Sequence, residues 1–163
     1  MRDQRFVALH RGGLLTPGQH RLLIRWAIEC SEHALLLLEG KADSRVLRAL
    51  EIAREWESGK ANVAAARKAS VGAHAVARAE ADPIAAAVAR CCAQAVATAH
   101  MADHSIAAAE YALLAVKLSG LSVEEELAWQ NGNLNPEIAE RVLDLRKTKS
   151  WRHSSSGIAG KSI

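Results

Sequence analysis

Between Ala61 and Ala115, 24 of 55 residues are alanine. Nothing else in the chain restricts its fold as strongly. Alanine loses no side-chain entropy in a helix and has the highest helix propensity. It offers a β-sheet little to pack, because sheets are stabilised by branched and aromatic neighbours. The whole chain has 33 alanines in 163 residues but one Phe and one Tyr. Such a composition predicts an all-α, single-domain bundle of about six to seven helices, mostly antiparallel neighbours, with an Ala-rich centre.

Local signals divide the chain. Residues 1–15 read as an N-terminal arm, extended and ending in a Gly12-Gly13 turn. Residues 16–148 form the helical domain, and 149–163 a polar, Gly/Ser-rich C-terminal tail. Thr16-Pro17 is a helix start, a capping hydroxyl followed by Pro at the first helical position. Leu22, Trp26, Cys30, His33 and Leu37 then form one stripe, which Gly40 closes. Asp43 or Ser44 caps a second helix ending at Ser58-Gly59, with Leu47, Leu50, Arg54 and Trp56 near its buried side. A third helix spans about 62–81, and Asp82-Pro83 opens a fourth. The fifth starts near 103–105 and stops at Ser119-Gly120. Ser122 and Glu125 have the spacing of a capping box, and Asn135-Pro136 opens the last helix.

Net charge is +3, with both signs interleaved. That pattern argues against nucleic acid, which selects a concentrated basic face. The one basic concentration, Arg146, Lys147, Lys149 and Arg152, reads as a solvated tail. Cys30, Cys91 and Cys92 are too few and too badly spaced for a disulfide framework, as in a reduced cytoplasmic protein. No secretory signal or membrane-length apolar run is legible. No cofactor motif is present either, since Arg11-Gly12-Gly13 follows no strand.

The stretch HMADH carries the sharpest chemical question. His100 and His104 lie four apart, on one helical face. A zinc protease would need Glu after the first His, and Met101 stands there. A metal-binding bundle or metalloenzyme using His100 and His104, with His74 or His33 supplying further ligands, is the alternative reading. The structural reading makes Asp103 the cap of the fifth helix, accepting backbone N–H bonds near 105 and 106, with both imidazoles facing inward. Cys30 and His33 share a face, but a nucleophile also needs an oxyanion hole and an orienting group, and neither is legible. On the second helix, Arg48, Glu51, Arg54 and Glu55 fall at i, i+3 and i+4 spacing. With Trp56 they are recognition candidates, because Arg and Trp dominate many interfaces.

Several stretches together identify a family resemblance. They are RFVALHRGGLLT, HRLLIRWAIECSEHALLLLE, RALEIAREWESGK, AVATAHMADHSIAAAEYALLAVK, and W-Q followed by NPEIAERVLDL. In this order, over about residues 5–146, the chain resembles the immunity-protein-five-like helical family of bacterial polymorphic toxin systems. The resemblance implies a cytoplasmic, non-enzymatic protein whose partner is a cognate toxin domain. It transfers no catalytic residue. The Ala-rich helix faces also leave room for a homodimer.

Overall fold

A computed structural model describes residues 2–148, so the expected tail at 149–163, with Lys149 and Arg152, lies outside the described residues. Seven α-helices follow in order: α1 Pro17–Leu35, α2 Ser44–Glu57, α3 Val63–Ala79, α4 Pro83–Ala97, α5 His104–Leu118, α6 Val123–Gly132 and α7 Pro136–Thr148. The fold is all-α, as expected. Local chemistry sets most of the starts. Thr16 and Gln19 form a full capping box ahead of Pro17. Asp43, Asn62, Asp82 and Ser122 each accept a backbone N–H in the first turn of the helix they precede. After α1 the chain tightens into a 3-10 turn, then stops where Glu39 and Gly40 take left-handed conformations.

α4 is the centre. It buries nine of its 15 residues, and all nine are Ala, Val or Cys. These short side chains let neighbouring backbones approach α4 from several sides. One cluster joins Leu23, Trp26 and Cys30 of α1 to Val88, Cys91 and Cys92 of α4, to Ile106, Ala109 and Ala112 of α5, and to Ile138 and Val142 of α7. The second joins Ile24 and Ile28 of α1 to Ala49, Ile52 and Ala53 of α2, Ala66 and Ala73 of α3, and Ala93 and Val96 of α4. Trp26 supplies the bulk that the alanines lack.

Three details depart from the sequence expectations. Residues 2–15 are a folded strap instead of an extended arm. Two 3-10 turns and one parallel bridge, Ala8 to Leu15, hold it, and Phe6 and Leu15 plug the core. On α2 the inward residues are Val46, Ala49, Leu50 and Ala53, whereas Leu47 and Arg54 are exposed. The run Gln130-Asn131-Gly132-Asn133 has the composition of a turn, yet α6 continues to Gly132, so Gln130 and Asn131 are helical. No described helix is long and apolar enough to cross a membrane.

Candidate functional site

With Val46, Ala49, Leu50 and Ala53 turned inward, helical geometry sends Arg48, Glu51 and Glu55 outward. Arg48 Nη1 donates to Glu51 Oε2 at 2.9 Å and to Glu55 Oε1 at 3.0 Å. The facing helix, α3, turns Ala66, Ser70, Ala73 and Ala77 inward, and Ser70 Oγ donates to the Ala93 carbonyl at 3.0 Å. Its flank toward α2 holds Ala65, Ala69 and Gly72, too short to fill the space. The result is a groove of about 790 Å³ with Leu47 and Ile52 on the α2 side. Arg45, Arg48 and Lys68 at this groove outnumber its one acid, Glu51. Arg45 pairs with Asp43 at 3.1 Å, whereas Lys68 makes no ion pair among the described residues. Leu47, 43% exposed, is an unburied apolar anchor. Exposed ion pairs such as Arg48–Glu51 are screened by solvent and contribute little, so a docking partner can redirect them at small cost.

The sequence-predicted recognition set does not stay together. Arg48 and Glu51 line the groove; Arg54 turns away to pair with Glu32 of α1. Trp56, half-buried, lies against the His20 ring with centroids 4.8 Å apart.

HMADH forms the α4–α5 junction, and the His100 and His104 rings are neighbours at 5.1 Å. Asp103 does stand at the N-cap position of α5, but its carboxylate makes no capping bond, which corrects the expected role. It accepts from Arg2 Nη2 at 2.9 Å instead. A charged donor competes well with a backbone N–H for a carboxylate. His33 joins neither imidazole in any ligand group: its Nδ1 meets Glu126 Oε2 at 2.7 Å, and its ring stacks on Trp129 at 3.9 Å. Among the described residues, no group of three or more His, Cys, Asp or Glu side chains is placed to hold a metal ion. Burial holds His74 and His100 below the ordinary imidazole range, with nearby cationic groups pushing the same way. Burial drives the thiols up, Cys91 to about 12, so they stay protonated and pack as small core residues.

The sequence missed a buried polar network around Trp26. The Trp26 indole N–H donates to the Gln130 carbonyl at 2.8 Å. Gln130 Nε2 donates to the Ala109 carbonyl at 3.1 Å and to Glu126 Oε1 at 3.0 Å. Arg146 donates to Gln130 Oε1 and Asn131 Oδ1, both at 2.6 Å. Its guanidinium lies 5.1 Å from the Trp26 ring centroid, and Nε approaches Glu110 Oε1 at 3.5 Å. The Arg146 side chain is 6% exposed, which corrects its reading as a solvated tail residue. The one local signal was Glu126 and Gln130 at i, i+4 spacing on a helix with scarcely any apolar stripe.

A protein-family model described as "Imm-5 like putative immunity protein" matches residues 13–137, which contain the whole α2–α3 groove. Comparison with curated proteins and comparison with solved structures gave no match.

Proposed function

Because the chain belongs to the Imm-5 like immunity protein family, we propose that it binds a cognate toxin domain in the cytoplasm of its producer and neutralises it without chemistry of its own. Family membership carries this reading. The helical scaffold supports it: a rigid Ala-rich centre backs an open groove whose charges are held by exposed, weakly stabilising pairs. We assign the α2–α3 groove as the contact. Its excess of Arg45, Arg48 and Lys68 over Glu51 fits an acidic segment of the toxin, with Leu47 and Ile52 receiving an apolar side chain. Covering the toxin's active site or substrate groove is enough for inhibition.

Co-expression with the toxin domain encoded next to its gene tests the reading. The expected result is growth with the wild-type protein and death without it. Equal killing in both cultures overturns the proposal. The double charge reversal Arg48→Glu with Lys68→Glu tests the surface separately: the variant should keep the wild-type fold and lose protection. Full protection by a folded double variant would move the contact elsewhere and leave the immunity reading standing.

A further inference from the structure

A second cavity lies beneath the N-terminal strap. It is a cleft of about 130 Å³, a few water molecules in size, and its polar lining is Arg2, His10, Arg11, His20 and His100. Every one of these side chains is cationic or can become so, and among the described residues no acid lines the cleft. Trp56 and Phe6 contribute its apolar wall. Two polar atoms at this place are buried without a hydrogen-bond partner among the described residues: Arg2 Nε and His100 Nδ1. An unpaired buried guanidinium N–H is costly, and proteins keep few of them. Asp103 answers only the Nη2 of Arg2.

We propose that this cleft binds a small oxyanion of the phosphate or sulfate class. Such an ion supplies several acceptor oxygens to a site that holds donors and lacks acceptors. The same charges oppose a divalent cation at His100 and His104, since Arg2, Arg11 and Arg67 all act on His100 as like charges. An anion is therefore the ligand that resolves the site, and a metal the one it repels. This inference stands independently of the toxin reading.

Binding takes up a proton. His20 lies 2.6 Å from the Thr98 carbonyl through Nε2, which must donate there, so a neutral His20 has only a lone pair left on Nδ1. An anion in the cleft favours the protonated ring, which carries an N–H on both nitrogens. The groups acting on His20 are His10, Arg11 and Arg2; those acting on His100 are His104, Arg67, Arg11 and Arg2, with Asp103 the acid nearby, paired to Arg2. The anion screens this cationic surround, so affinity rises as pH falls.

The test is titration of the full chain with sodium sulfate, whose charge does not change over the range used, following the imidazole proton resonances. His20 and His100 should shift saturably, and the apparent Kd should fall at least about tenfold between pH 7.5 and 5.5, one protonation across about two pH units. Arg11→Gln, an exposed substitution, should weaken binding at least about fivefold without altering the fold, as should His100→Gln where it folds. Inorganic phosphate and glycerol phosphate run in parallel separate a free ion from an esterified group: tighter binding of either supports the site and names the source. Two results overturn the proposal: sodium chloride at matched ionic strength giving the same shifts, or Arg11→Gln binding sulfate as the wild type does.

Discussion

Arg146→Ala is the most exacting test of the buried network. The substitution removes charge-assisted bonds of 2.6 Å to both Gln130 and Asn131, the approach to Glu110, and the cation above Trp26. It also takes the guanidinium away from Glu110, whose side chain is 15% exposed. One charge-assisted bond contributes roughly 1.5–3 kcal/mol, and removing one member of a buried pair costs about 3–5 kcal/mol. These overlap, so the expected loss is about 3–5 kcal/mol in all. For a chain of this length 1 kcal/mol moves the midpoint about 2–4 °C, so Tm should fall by roughly 6–20 °C. Arg146→Lys keeps the charge but not the planar fork, and should fall between Arg146→Ala and wild type. Glu110→Gln in the Arg146→Met background should recover part of the loss, because it removes a buried carboxylate whose Arg146 cation is gone. The assay is a thermal or urea double-mutant cycle read by near-ultraviolet circular dichroism, which follows the tryptophans. A drop under about 2 °C for Arg146→Ala, or additive effects of Arg146→Met and Glu110→Gln, would refute the reasoning.

Two further predictions concern the strap and acid pH. A Cβ on Gly13 would overlap the Val7 carbonyl well inside the 3.0 Å that real Cβ atoms keep, and the atom struck is backbone. Gly13→Ala should therefore release the strap, uncover Phe6 and Leu15, and cost about 2–4 kcal/mol on the scale of a large buried side chain; proteolysis within residues 2–15 should accelerate, and an unchanged digestion rate would contradict the account. Burial keeps His20, His74 and His100 neutral in the fold below the ordinary value of 6.5. As pH falls below that value the unfolded chain takes up protons that the folded chain refuses, so stability present above about pH 6.5 is lost as pH falls through the depressed folded values. The depressed Asp3 and Asp43 start from 3.8 and act only in stronger acid, so a Tm that stays flat from pH 7.5 to 5 in chloride buffer would remove the histidine explanation.

Helix starts were legible because capping is local. Thr16-Pro17, Asp43, Asn62, Asp82-Pro83 and Ser122 each meet backbone N–H groups within three residues. The Arg48–Glu51–Glu55 face was legible for the same reason, since its spacing alone puts the charges together. Asp103 shows where that logic ends. It has the residue type and the position of a cap, but Arg2, 101 residues earlier, takes its carboxylate. Arg146 is the converse case. Its neighbours Lys147 and Lys149 make it look like part of a solvated run, and only the docking of α7 on α1, α5 and α6 buries it. His33 resembled a ligand while its partner Glu126, 93 positions away, was out of sight. Short-range chemistry fixes elements and their exposed faces, whereas polar partners across the core depend on tertiary packing.

That difference in range bears on where a partner can dock. The Arg146 network is desolvated, and any partner recruiting Arg146 or Glu126 must first break bonds worth several kcal/mol. The α2–α3 groove asks far less, since the Arg48 pairs with Glu51 and Glu55 are exposed and solvent-screened. Among the described residues, Lys68 has no ion pair to break. Behind them, Ala66, Ala73 and Ala49 lock the two helices to the core, so the groove walls need little ordering when a partner arrives. If the proposed contact is at the groove, its recognition energy would be mostly surplus, and the same contact made at the network would be offset by what it disrupts. Stability and binding should separate cleanly by position: charge changes at Arg48 and Lys68 act on affinity with Tm held, and changes at Arg146 act on Tm first.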